Sequence, residues 1–128
     1  MSYLHRIRVR YGECDMQRVV FNANYLAYCD DAADLWFQAL GVDLESHGWD
    51  VMVKKASVTW SGSAKARDEL AIAVAVRRWG NTSFDLGFDG SVGEQPVFSA
   101  DITYVAVKAG TTETVRVPDD FRAAADAL

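Results

Sequence analysis

Tyr25-Leu26-Ala27-Tyr28-Cys29-Asp30-Asp31-Ala32-Ala33-Asp34-Leu35-Trp36-Phe37-Gln38-Ala39-Leu40 is the one long helical pattern in the chain, and the architecture turns on it. Its polar residues Asp31, Asp34 and Gln38 fall on one narrow stripe, with Asp30 beside it. Nearly everything else, including Tyr25, Tyr28, Cys29, Ala32, Trp36 and Leu40, is apolar or small. A helix apolar over most of its circumference is wrapped by other elements and not laid on a surface. Gly41 is a natural stop, and Asn22 or Asn24 a natural start.

Strand patterns stand on either side of this helix. Before it, Leu4 to Tyr11 alternates, with Ile7, Val9 and Tyr11 on one face and Arg6, Arg8 and Arg10 on the other. After a connection of about ten residues come Val51 to Ser61, Leu70 to Trp79, Ser83 to Phe88 and Val97 to Val107. Gly80-Asn81 and the stretch from Gly90 through Pro96 act as breakers between them. In the third strand, Leu70, Ile72, Val74 and Val76 share one face and Ala71, Ala73 and Ala75 the other. In the last, Phe98, Ala100, Ile102, Tyr104 and Ala106 share one face. Pro118 to Leu128 reads as a short C-terminal helix with Pro118 near its first turn. Strands joined by short turns make an antiparallel sheet, and the absence of βαβ alternation excludes a doubly wound fold. The order predicts an α+β chain, a curved antiparallel five-stranded sheet wrapped around one long central helix, in one domain spanning residues 1–128.

Composition narrows the function. Half of the 128 residues are hydrophobic, enough for a substantial core. Thirteen Lys and Arg face 18 Asp and Glu, and a formal charge of −5 argues against a large nucleic-acid footprint. No apolar run reaches the roughly 20 residues that span a bilayer, and Met1 to Arg10 has no signal-peptide core, so the expected location is cytoplasmic. Cys14 and Cys29 form neither a disulfide framework nor a metal spacing. Cys14 stands between Glu13 and Asp15, surroundings that discourage a thiolate, and Cys29 reads as a small core residue. His5 reads as a surface strand residue and His47 as part of a polar connection. P-loop, nucleophile-elbow, dinucleotide and zinc-protease motifs are all missing.

The stretch that carries chemistry is Tyr11-Gly12-Glu13-Cys14-Asp15-Met16-Gln17-Arg18-Val19-Val20-Phe21-Asn22-Ala23-Asn24-Tyr25. It sets Asp15 in a loop seven residues before Asn22, where the helix begins. The apolar run Val19-Val20-Phe21 pulls that loop against the core. Free backbone N–H groups from Asn22 to Tyr25 offer a site for an oxygen anion. A carboxylate facing such donors across a small gap suits acyl transfer without His or Ser.

Arg10 to Trp36 resembles the signature of the 4-hydroxybenzoyl-CoA thioesterase family of hotdog-fold acyl-CoA thioesterases: an Asp, a short loop, two or three apolar residues, then Asn-x-Asn-Tyr opening the central helix. Val58-Thr59-Trp60, Lys65-Ala66-Arg67-Asp68, Arg78-Trp79-Gly80-Asn81-Thr82-Ser83-Phe84 and the strand from Ala100 to Val107 are similar to later parts of the family pattern in the same order. One position departs: the family usually has Gly three residues after the Asp, and here it is Arg18. If that position needs φ > 0, Arg18 either tolerates the strain or alters the loop.

The resemblance implies hydrolysis of an acyl-CoA thioester to free acid and CoA. It makes Asp15 the nucleophile or the general base to a water, and Asn22 the backbone donor to the oxyanion. Asp30 is the second choice for a catalytic acid. Phe21, Tyr25 and Trp60 would meet the acyl group. Arg67 and Arg78, with Lys65 and Lys55, would meet the CoA phosphates. It also implies no metal and no cofactor, and a site lying between two protomers of a homodimer or homotetramer. A hotdog hydratase needs a His beside a carboxylate, and neither His5 nor His47 falls near the helix start. The alternative is a hotdog protein that binds acyl-CoA or an acyl-carrier protein without turning it over.

Overall fold

The computed structural model describes residues 3–41 and 43–128. In chain order the elements are β1 (Tyr3–Arg8), α1 (Asn24–Ala39), β2 (Trp49–Trp60), β3 (Glu69–Trp79), β4 (Ser83–Val92), β5 (Gln95–Lys108) and α2 (Asp119–Ala127), with short 3-10 turns at Tyr11–Glu13 and Glu45–His47. The strands form one antiparallel sheet in the order β1-β3-β4-β5-β2, and α1 packs on one face of it. This is the hotdog arrangement.

Alternation decides which side of each strand meets the helix. Leu70, Ile72 and Val74 of β3, Phe84, Leu86 and Phe88 of β4, and Phe98, Ala100, Ile102, Tyr104 and Ala106 of β5 are all buried. Against them α1 buries Tyr25, Tyr28, Cys29, Ala32, Ala33 and Trp36, a three-and-four spacing that makes one face. Each large apolar side chain removed from water in this way contributes about 1.5–3 kcal/mol before entropy is counted. The last helix adds a plug: Phe121, fully buried, enters a ring of aromatics near Trp36, Phe37, Trp49, Trp79 and Phe84.

Five expectations change. The helix is not wrapped all round: Leu26, Asp30, Asp31, Asp34 and Gln38 lie exposed, because one curved sheet covers only one side of it. β1 ends at Arg8, and Tyr11 does not share a strand face with Ile7 and Val9; it sits in the 3-10 turn, 86 % exposed. β4 runs through Gly90 to Val92, past the expected end at Phe88. Gly90 pairs with Phe98, whose ring fills the space a Cβ would need, so this glycine belongs inside a strand and not in a turn. His5 is buried, with Nε2 3.0 Å from Asp31 Oδ2. Helix α1 begins at Asn24 behind Ala23, without a side-chain cap, because the N-cap residue Ala23 carries no acceptor; Asn24 Nδ2 instead donates to the Glu13 carbonyl. No helix among the described residues is long and apolar enough to cross a membrane.

Candidate active site

The segment between β1 and α1 folds into a small hairpin. Cys14 bridges Val20, the Asp15 amide donates to the Val19 carbonyl at 2.9 Å, and the Arg18 amide donates to the Asp15 carbonyl at 2.9 Å. Val20 is buried and donates to the Ala64 carbonyl at 2.9 Å, so the apolar run does pull the hairpin onto the core. Arg18 sits at φ 67°, the left-handed region that favours glycine. The loop is therefore kept and the strain tolerated, at a cost of about 1–2 kcal/mol for a side chain with a Cβ.

Asp15 is half-buried in this turn. Its Oδ1 accepts the Gln17 amide at 2.8 Å, the only side-chain hydrogen bond it makes among the described residues. Asp15 lies one residue from the Cys14–Val20 bridge on the turn side, and Asn22 two residues from it on the helix side. The N–H groups of Asn22 and Ala23 bond to no described residue, whereas those of Asn24, Tyr25 and Leu26 turn back onto Phe21, Asn22 and Ala23 carbonyls. Two unspent donors thus stand at the positive end of a 16-residue helix, an arrangement able to stabilise an anionic oxygen.

Glu13 ties this hairpin to the rest of the molecule, a role the sequence did not reveal. Its carbonyl accepts the Phe21 amide at 3.0 Å and Asn24 Nδ2 at 2.9 Å. Its Oε1 accepts the Arg10 amide at 2.8 Å and the Tyr28 hydroxyl at 3.0 Å, and Oε2 accepts Arg10 Nη2 at 3.1 Å. Burial pushes this carboxyl upward, but the bonds from Arg10 and Tyr28 outweigh it and hold Glu13 below the usual carboxylate range. Burial, followed by the bond to Glu13, raises Tyr28 well above an ordinary phenol.

The aromatic candidates separate by exposure. Tyr25 is core: its hydroxyl accepts the Ala64 amide at 3.2 Å and its ring packs on Tyr28, Trp60 and Phe98. Phe21 and Trp60 are 53 % and 43 % exposed, open to an apolar ligand near the helix start. The cationic candidates separate as well. Arg78 is paired with Asp85 through Nε and Nη2, and Asp85 alternates away from the buried Phe84 and Leu86 on the face without the helix. That pairing raises Arg78 and lowers Asp85. Lys55 lies beside Thr103 on the same face, and the Thr103 hydroxyl also bonds Asp85. Arg67, at φ 74°, is exposed and makes no ion pair among the described residues. With Arg8, Val9, Arg10, Tyr11 and Ala66 it lines a cavity of about 300 Å³. Lys65 opens the same turn, its amide bonded to Asp68 Oδ2 at 3.0 Å. Asp30 lies on the open face of α1, lining a wider cleft of about 960 Å³ with Asp34, Phe37, Val51, Val53 and Tyr104. The Tyr104 hydroxyl is buried without a partner among the described residues.

The model of the thioesterase-like superfamily matches residues 9–125, from the end of β1 to the last helix. The chain belongs to this superfamily. A 1,4-dihydroxy-2-naphthoyl-CoA hydrolase of Nostoc punctiforme is 25 % identical over 125 residues, 94 % of this chain and 84 % of that protein. One from Trichodesmium erythraeum is 22 % identical over 95 % of this chain and 94 % of its own. Among solved structures, a thioesterase-superfamily protein from Jannaschia sp. superposes with a TM-score of 0.92 at 20 % identity, covering 98 % of this chain and 92 % of that one. A 1,4-dihydroxy-2-naphthoyl-CoA thioesterase from Synechocystis gives 0.88 at 19 %, covering 100 % and 98 %. These structures bear out the hotdog fold, and the family with its CoA hydrolases bears out an enzyme of the thioester-hydrolase class.

Proposed function

We propose that this thioesterase-superfamily member hydrolyses an aromatic acyl-CoA thioester, with Asp15 and the Asn22 amide as its working groups. The observation that carries the reading is the pair of unspent N–H groups at the start of α1, joined through the Cys14–Val20 hairpin to the turn that holds Asp15. The thioester carbonyl oxygen takes the Asn22 amide, and the helix dipole stabilises the negative charge that develops there. Asp15 then acts in one of two ways. As nucleophile it attacks the carbonyl carbon and expels CoA thiolate, leaving a mixed anhydride that water hydrolyses. As general base it takes a proton from water, whose oxygen attacks instead. In both, the C–S bond breaks, the thiolate is protonated and the carboxylic acid leaves.

The aromatic character of the acyl group rests on Phe21 and Trp60, large exposed aromatics near the helix start, and on the relatives named for 1,4-dihydroxy-2-naphthoyl-CoA. A 4-hydroxybenzoyl group is one member of that class. The CoA phosphates are given to Arg67, which makes no ion pair among the described residues, ahead of Arg78, which is paired with Asp85. Thiol release should be followed over aryl- and alkyl-CoA thioesters and over the matching N-acetylcysteamine thioesters, which carry no phosphate. Arg67→Glu is expected to raise KM for the CoA thioester about tenfold and leave the short thioester unchanged. An equal effect on both removes Arg67 from the phosphate site. Binding of acyl-CoA without thiol release by the wild type replaces the enzyme reading with that of a binding protein.

The site is completed by a second copy of the chain. The open face of α1 and the free edge of β2, where Met52 and Val53 are about half exposed, are surfaces that self-association would cover. Sedimentation equilibrium should give a dimer or tetramer, and a stable monomer with full activity would overturn the shared site.

A further inference from the structure

We infer that Glu13 is a positioning residue for Asp15, a role that rests on the thioesterase reading. Only Cys14 stands between them, and Glu13 is where the hairpin is fastened. Its main-chain carbonyl holds the returning strand at Phe21 and the first turn of α1 at Asn24. Its carboxylate holds the second turn of α1 at Tyr28 and the incoming strand end at Arg10. Glu13, whose side chain is 19 % exposed, accepts five hydrogen bonds from four residues.

The Asp15 turn needs such a fastening. It contains Arg18 in the left-handed region, where a Cβ opposes the conformation, and among the described residues the Asp15 carboxylate is steadied only by the Gln17 amide. A carboxylate accepting from a guanidinium, an amide and a phenol forms charge-assisted bonds, stronger than a neutral acceptor would form. Tyr28 is well placed as the fixed end of the strut. Its ring is buried beneath α1, edge-on to Tyr25 at 5.9 Å, so the hydroxyl that meets Glu13 cannot wander. The reacting oxygen is thereby indexed to the same helix whose first amides would receive the oxyanion. A misplacement of about 1 Å between such groups costs on the order of 10²-fold in rate.

Glu13→Gln keeps the shape but replaces one acceptor oxygen by an amide that faces the Arg10 donors. Its kcat is expected to fall roughly 10- to 100-fold with KM within about twofold of wild type, measured below the melting temperature of each variant. Tyr28→Phe keeps the buried ring and deletes only the hydroxyl, and it should lower kcat by roughly three- to tenfold with KM again held. A purely structural role would lower the melting temperature and leave kcat per folded molecule intact in both. If Glu13→Gln does not fold, Tyr28→Phe decides: a kcat within twofold of wild type overturns the inference. No turnover by the wild type sinks the thioesterase reading itself. Turnover by the wild type with unchanged kcat in the folded variants sinks only the role of Glu13.

Discussion

Asp15→Asn is expected to lose on the order of 10² or more in kcat for thiol release, because it removes the group that attacks the carbonyl or takes the proton from water. The substitution is close to isosteric. The Asn oxygen can still accept the Gln17 amide, the backbone bonds to Val19 and Arg18 are untouched, and Val20 still anchors the hairpin in the core. The melting temperature should therefore stay near that of wild type while acyl-CoA binding persists. This separates a chemical loss from a folding loss. A variant retaining a third or more of wild-type kcat would remove Asp15 from the chemistry, and Asp30, on the open face of α1, would be next to test. The nucleophile and general-base routes both predict the loss, so the measurement tests what they share.

The largest effect on stability is expected at Phe121. Its ring is fully buried and lies 5.0 Å from Trp49, 5.4 Å from Phe84, 5.8 Å from Trp36, 5.9 Å from Phe37 and 6.0 Å from Trp79, centroid to centroid. Phe121→Ala leaves a cavity walled by rigid rings, which cannot collapse cheaply. A loss of about 3–5 kcal/mol follows, with a melting temperature lower by roughly 10 °C or more. Chemical denaturation of the variant checks it, and a loss below about 1 kcal/mol would mean that α2 is not part of the cooperative core. The consequence reaches function through α1: Trp36, on the buried face of the helix, is one wall of that cavity. An undocked α2 would loosen the C-terminal half of the helix whose N-terminus forms the candidate site.

The legible part of this protein is periodic or local. The alternation of Phe98, Ala100, Ile102, Tyr104 and Ala106 is a property of neighbours two apart, and every one of them is buried as the alternation requires. The three-and-four spacing of Tyr25, Tyr28, Cys29, Ala32 and Trp36 likewise dictated which residues of α1 face the sheet. The left-handed conformation of Arg18 was signalled only by the family resemblance, which usually has a glycine there, and not by the local residues themselves. Gly90 was not legible. Glycine marks a turn by composition, and only Phe98, eight residues on and across the sheet, explains its place in a strand.

What the chain determined by itself is thus the set of elements, their buried faces and the segment that holds Asp15 and Asn22. Docking decided the remainder. Glu13 meets Tyr28 fifteen residues away, His5 meets Asp31 across twenty-six, and Arg78 is ion-paired with Asp85 while Arg67 forms no ion pair among the described residues. The reason is physical. Periodicity follows from the repeat of the backbone, which every residue shares. The partner of a polar side chain depends on how elements far apart in sequence come to lie against each other, and no local pattern encodes that distance.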